Sequence, residues 1–319
     1  MKAAIKAGLL LVIVISGSAR AQTKKVEALK VTILSTMLAD KGIGEWGFSA
    51  LIEVDGRRIL FDTGARPETV LENAKELGID LSGVDEVFMS HGHSDHTGGL
   101  MTLRKTLSKQ NSKALSTVHI GEGAFYPRPE LAKFAQSLNE LKSAFEKSGG
   151  KFITYKNAVE IYPGVWITGP VPRMTNEKNW SGNGKVTLPD GKVVTDNVPE
   201  DQSMVFVTNE GLIIVSGCGH AGVINTIEYA KQFTRSPAPV TTLIGGFHLF
   251  DISDEDLSLT GQKLKTYGVT TFVGAHCTGI DAVYYLKQAL EMEKHYGVVG
   301  AVGTVYEYGK GIMAGRLSK

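Results

Sequence analysis

The sequence is poor in several features that would have settled its class at once. It has two cysteines in 319 residues, Cys218 and Cys277, too few for a disulfide framework or a four-thiolate zinc module. Its formal charge is only +1 and it shows no basic patch, so nucleic acid is not an expected partner. No apolar run approaches the roughly 20 residues that span a bilayer. There is no internal repeat and no low-complexity tract.

The longest apolar run, GLLLVIVIS, stands near the N-terminus behind Lys2 and Lys6 and ahead of Ala19-Arg20-Ala21. That is the three-part pattern of a secretory signal peptide with cleavage before Gln22. The expectation is a leader over 1–21 and one domain over 22–319, periplasmic or secreted, with no membrane attachment after cleavage. Loss of Lys2, Lys6 and Arg20 would shift the formal charge from +1 to −2. Two cysteines in an exported chain could pair. Each also adjoins a histidine, in GCGH and AHCT, a context that suits metal chemistry.

Strand and helix signals alternate along the chain. Ala28 to Leu38 reads as a strand, and Phe48–Val54 with Arg58–Phe61 as a hairpin turned at Asp55-Gly56. Helices are expected over Pro67–Leu77, Thr97–Leu107, Glu130–Lys147, Val223–Phe233, Asp254–Tyr267 and Ala282–Lys294, with strands between them. The class is α/β with mixed sheets. Residues 174–201, polar and rich in Gly, Asn and Asp, break the pattern and read as a lid or insertion. Trp46, Phe48 and Trp166 read as core or hairpin cover.

Three of the eight histidines fall within FMSHGHSDHTGGL, directly after a short apolar run. Imidazoles at i and i+2 can aim at one point, and a carboxylate and a third imidazole at i+4 and i+5 at a neighbouring one. Such a turn can hold two cations sharing a water, and its donors are metal-ligand types at ligand spacing. Zinc is the default for so many nitrogens; manganese or iron would suit the same donors.

The run His91-Gly92-His93-Ser94-Asp95-His96 resembles the H-x-H-x-D-H signature of metallo-β-lactamase-fold hydrolases. FDTG at Phe61–Gly64, LIIVSGC at Leu212–Cys218 and TFVGAHCTG at Thr271–Gly279 extend the likeness over nearly the whole chain. TGPVPR, EDQSMVFV, SGCGHAG and GGFH make it similar to the branch that includes the archaeal dihydropterin ribofuranosyl-aminobenzene phosphate synthases. The resemblance implies an αββα sandwich with its site at the edge between two sheets. It implies His276 as the terminal metal histidine, Cys218 at the bridging position, and Asp62 as a buried support of the metal turn. Where most of the family has P-G-H-T, this chain has TGPV at Thr168–Val171, and His220 is the substitute. The expected ligand sets are therefore His91, His93 and His220 for one metal, and Asp95, His96 and His276 for the other.

Other candidates are His248, to orient substrate or replace a ligand, and Arg173 and His119, to contact it. His295, near a helix end, needs no catalytic explanation. The expected function is a metal-dependent hydrolase acting on a small anionic ester, lactone or phosphodiester. The alternatives are a pterin-forming synthase and a metal-dependent ligand-binding protein that does not turn its ligand over; β-lactam hydrolysis is disfavoured by TGPV and the long polar segment.

Overall fold

A strand apolar at every position must be covered on both faces, and Leu212–Ser216 is buried throughout. Its Ile213 and Val215 join a cluster with Val31, Ile33, Ile52, Phe61 and Phe88, whereas Leu212 and Ile214 pack with Ile224, Ile227 and Leu264. Period-two alternation thus commits one face to a second sheet and the other to helices. The structure, a computed structural model, describes residues 24–129, 137–177 and 184–318. The leader expected over 1–21 lies outside them.

The first sheet has eight strands in the order Gly311–Met313, Val305–Glu307, Leu29–Ser35, Ser49–Val54, Arg57–Phe61, Glu86–Phe88, Thr117–Gly121 and Lys151–Tyr155. The second has seven: Gly297–Val299, Thr271–Gly274, Val240–Gly245, Leu212–Ser216, Ser203–Val207, Val165–Ile167 and Val159–Tyr162. Helices Thr69–Glu76, Leu100–Leu107 and Leu138–Lys147 cover the outer face of the first through Val70, Leu103 and Phe145. Val223–Thr234, Asp254–Tyr267 and Ile280–Ala289 cover the second through Ile227, Leu264 and Leu286. The layers are α, β, β, α. Each fully buried Phe, Ile or Leu between them contributes roughly 1.5–3 kcal/mol.

Sheet direction positions the site. Arg57–Phe61 and Glu86–Phe88 are parallel neighbours in one sheet, as are Leu212–Ser216, Val240–Gly245 and Thr271–Gly274 in the other. At the carboxyl ends of these strands stand DTG, MSHGHSDH, GCGH, GFH and AHC, and open α/β sheets place their ligands outside such ends.

The hairpin turn is as expected, with Asp55 and Gly56 both at positive φ. Several local expectations changed; among them, the helix expected over Ala282–Lys294 runs over Ile280–Ala289. The helix expected from Thr97 starts at Leu100, because Ser94–Thr97 forms a short helix of its own. The helix expected from Glu130 starts at Leu138 behind a capping box of Ser137 and Glu140; residues 130–136 are not described. Within 174–201, Lys185–Thr187 and Val193–Thr195 pair as a small hairpin, with 178–183 outside the description. Lys151–Tyr155 and Val159–Tyr162 were missed as strands, since they are half-exposed edges with little apolar alternation.

Candidate metal centre

The metal turn is built on Asp62. This residue directly follows the strand Arg57–Phe61, sits at φ 50° and is fully buried. Its Oδ1 accepts from the Ser90 amide at 2.7 Å, and its Oδ2 from the Ser90 hydroxyl at 2.6 Å and from His96 Nδ1 at 2.7 Å. Burial pushes the Asp62 carboxyl above its ordinary value even though His96 and the two Ser90 donors oppose the rise, while the carboxylates beside His96 favour its imidazolium form. With its proton given to Asp62, the Ser90 oxygen accepts from His91 Nδ1 at 2.9 Å. One carboxylate therefore fixes His96 directly and His91 through a hydroxyl, leaving Nε2 of each pointing away from the support. Gly217 makes room: a Cβ there would lie 2.1 Å from Ser90 Oγ and 2.6 Å from Asp62 Oδ2.

Opposite these nitrogens stand residues far away in the chain. His220 Nε2 is 3.2 Å from His91 Nε2, and Cys218 Sγ is 3.2 Å from His96 Nε2. Asp95 Oδ2 is 3.3 Å from His276 Nε2 and 3.9 Å from His96 Nε2. Donor atoms within 4.8 Å of one another define the groups His91-His93-His220, Asp95-His96-His276, His91-His96-Cys218 and Cys218-His276-Cys277. The first two are the ligand sets expected from the sequence, and Cys218 lies between them.

A divalent metal fits these donors. Two nitrogens bound to one tetrahedral zinc at 2.0–2.1 Å stand roughly 3.3 Å apart, close to the separation of His91 and His220. His276 Nδ1 is buried without a hydrogen-bond partner among the described residues. Burial lowers the pKa of His91, His93 and His220, and brings His276 down to about 4. These imidazoles are neutral at pH 7, with lone pairs to give. Although burial opposes it, His96 and His276 hold the Asp95 carboxyl well below the usual range. Burial pushes the Cys218 thiol up.

His96 differs from the other ligands. Burial disfavours its charge, but Asp95 and Asp62 outweigh it and raise its pKa to about 9. In metal-free protein this charge contributes stability that is complete below pH 6.5 and lost as pH rises through about 9. A ligand must be deprotonated to bind, so loading at pH 7.5 should release roughly one proton from His96, and a second if the Cys218 thiol also enters. Calorimetry in buffers of different ionisation enthalpy measures this directly. Metal binding with no proton release would contradict the assignment.

Other expected residues fall at varied distances from this centre. His248, at φ 47°, has its ring 4.7 Å from that of His220 but joins none of the four donor groups. Arg173 donates to the carbonyls of Val171 and Asn197 and does not line the cavity beside the turn. His119 lies within a strand, its Nδ1 2.7 Å from the Tyr155 hydroxyl and its Nε2 3.5 Å from Glu86 Oε1, and it too is absent from that cavity. Thr168, from the TGPV segment, accepts from the Ser203 amide at 3.0 Å.

The sequence reading missed several contributors. Glu200, 1% exposed, accepts from the Gly92 amide at 3.2 Å and from Arg128 Nη2 at 2.6 Å. Arg128 also binds Asp196, at 2.6 Å. Asp201 accepts from the Ala221 amide at 2.8 Å, behind GCGH, and burial raises its carboxyl to about 7. Cys277, flagged in the sequence for pairing or metal chemistry, has its sulfur 3.1 Å from that of Cys218, and both are free thiols. Trp46, read as cover, is 49% exposed with its ring 4.9 Å from that of His276. EDQ at 200–202 and AHCT at 275–278 held the signals among these; the others converge from separate segments. A cavity of about 210 Å³ opens beside His93 and Asp95 and is lined further by Tyr126, Arg128, Asn139 and Glu200.

Residues 47–231 match a family described as the metallo-beta-lactamase superfamily. A 7,8-dihydropterin-6-methyl-4-(beta-D-ribofuranosyl)-aminobenzene-5'-phosphate synthase of Methanocaldococcus jannaschii is 34% identical over 268 residues, 81% of this chain and 90% of that protein. The solved structure of Tm1679, a metal-dependent hydrolase of the beta-lactamase superfamily, is 28% identical with a TM-score of 0.67, covering 87% of this chain and 98% of that one. The metallo-beta-lactamase fold protein YhfI from Bacillus subtilis aligns at TM-score 0.54 and 15% identity, over 88% of this chain and all of its own, a likeness of fold alone.

Proposed function

Because this chain belongs to the metallo-β-lactamase superfamily, we propose that it is an exported hydrolase using two divalent metals, zinc by default, on a small anionic ester, lactone or phosphodiester. The observation that carries this reading is the pair of three-donor groups, His91-His93-His220 and Asp95-His96-His276, meeting at Cys218 beside an open cavity. Metals bound there would supply Lewis acidity, polarising an electrophilic oxygen and bringing the pKa of water from 15.7 toward about 7.

The protein's own residues supply the rest. Asp95 stays ionised and can accept a hydrogen bond from the attacking water while its Oδ2 faces His276. Burial and neighbouring His276 bring His248 down to about 4, so its imidazole is neutral and can accept a hydrogen bond from substrate at the site's edge. Asp62 holds the rings of His91 and His96 against rotation. Arg128 is matched by Asp196 and Glu200, so the cavity offers hydrogen bonding more than excess positive charge. Attraction for an anion would come from the metals.

The test uses protein recovered from the periplasm or medium, whose first residue should be Gln22. Turnover of a panel of esters, lactones and phosphodiesters should disappear on chelation and return with zinc or manganese. A protein that retains its leader would remove the export claim; metal that cannot be reconstituted would remove the hydrolase claim.

The name of the archaeal relative favours a second reading, a synthase joining a dihydropterin to a ribofuranosyl-aminobenzene phosphate. The export proposed from residues 1–21 would oppose it, since pterin precursors are cytoplasmic metabolites. Incubation with dihydropterin diphosphate and the arylamine, followed by mass spectrometry for the adduct, decides between the two.

A further inference from the structure

Two large rings stand half exposed at the rim of the metal centre. Trp46 and Phe250 are each 49% exposed, with centroids 5.5 Å apart and planes at 81°. Trp46 also lies 4.9 Å from the His276 ring, and Phe250 5.1 Å from the His248 ring. The arc from His276 through Trp46 and Phe250 to His248 is thus made of rings. The first two rim rings meet edge to face, forming a corner continuous with the donor groups.

The backbone under each ring is anchored. Trp46 follows Glu45, a 5% exposed residue whose carboxylate accepts from the Ser35 hydroxyl at 2.6 Å and the Ala65 and Arg66 amides at 2.9 and 3.0 Å. After it, Gly47 packs so closely that a Cβ would lie 2.7 Å from Ala65 N and 2.8 Å from Asp95 O. Phe250 is tied to the metal-ligand turn, with the Leu249 and Phe250 amides directed at the Cys277 carbonyl at 3.1 and 3.3 Å. A core residue is held by its side chain. Here buried polar contacts fix the main chain so that the side chain can face solvent, which is the arrangement of a preorganised binding anchor.

We propose that Trp46 and Phe250 are specificity-determining residues that take an aromatic or heteroaromatic ring of the substrate into their corner while the scissile group lies at the donor cluster. The proposal rests on the hydrolase reading for the identity of the scissile group. It does not rest on it for the ring contact. A planar π-system can meet the face of one ring and the edge of the other, the two favoured aromatic geometries. A flexible alkyl chain gains only apolar area there.

Two phosphonates that cannot be hydrolysed at an ester bond test this on the metal-loaded protein by calorimetry. Phenylphosphonate should bind about tenfold more tightly than butylphosphonate, the equivalent of one well-formed aromatic pair. Trp46→Ala and Phe250→Ala should each remove most of that preference at unchanged metal content, with butylphosphonate affinity within about twofold of wild type, and Trp46→Phe should restore much of it. Equal affinity for the two probes, no binding of phenylphosphonate at millimolar concentration, or a preference untouched by both alanine substitutions would overturn the proposal. A preference without ester turnover would uphold the ring corner and remove the hydrolase reading. Equal binding with turnover of alkyl and aryl esters alike would do the reverse.

Discussion

Replacing His91 with alanine is expected to empty the first metal position and lower hydrolytic turnover by at least about 10³-fold, roughly 4 kcal/mol of lost transition-state stabilisation. His91 belongs to two of the four donor groups. It is fully buried, its Nδ1 engaged by Ser90 and its Nε2 3.2 Å from His220. Alanine would leave His220 and His93 facing a gap, and two neutral imidazoles hold a divalent ion far less well than three. Plasma emission should show loss of about one equivalent of metal per chain, and exposed His295 replaced by alanine serves as the control. Full metal content with wild-type turnover would refute the assignment.

The second large effect belongs to a residue that need never touch metal. Asp62→Ala should destabilise the metal-free fold by about 3 kcal/mol, because it takes the acceptor from His96 Nδ1 and leaves the buried imidazolium only Asp95, 3.9 Å from its Nε2, as a carboxylate partner. It also strips the Ser90 amide and hydroxyl of their acceptor, and it places alanine at φ 50°, a conformation that Asp or Asn adopts more readily. In the loaded protein, affinity for metal should fall about 10- to 100-fold, as when a partner behind a ligand is lost. Asp62→Asn separates the effects. It suits the backbone, but its amide NH₂ must face the Ser90 or His96 donors, so affinity should stay low while part of the stability returns. Urea unfolding in chelator gives the first quantity and competition with a chromophoric chelator the second. Wild-type stability of Asp62→Ala would show that His96 is neutral in the metal-free fold.

How much of this was legible varies with distance along the chain. The turn His91 to His96 was readable because bond lengths and backbone torsions dictate where residues two to five apart can point. Strands such as Leu212–Ser216 were readable because burial on two faces leaves a continuous apolar run. The edge strand Lys151–Tyr155 was not, since partial exposure erases that contrast. Trp46 was misjudged for a related reason. Composition says that an aromatic residue tends inward, and only the buried carboxylate of Glu45 explains why this one is held outward.

By itself the sequence determined the kinds of donor, their local order, and their position after strands, since short-range covalent geometry and periodicity require no knowledge of what packs where. Tertiary structure alone decided that His220 meets His91 across 129 residues and Cys218 meets His96 across 122. It also brought Glu200 beneath Gly92 across 108 and set Cys277 beside Cys218. Those meetings depend on which strands pair and in which direction. Strand pairing is chosen by the packing of two whole sheets against each other, a sum over many weak contacts that no local stretch of chain contains.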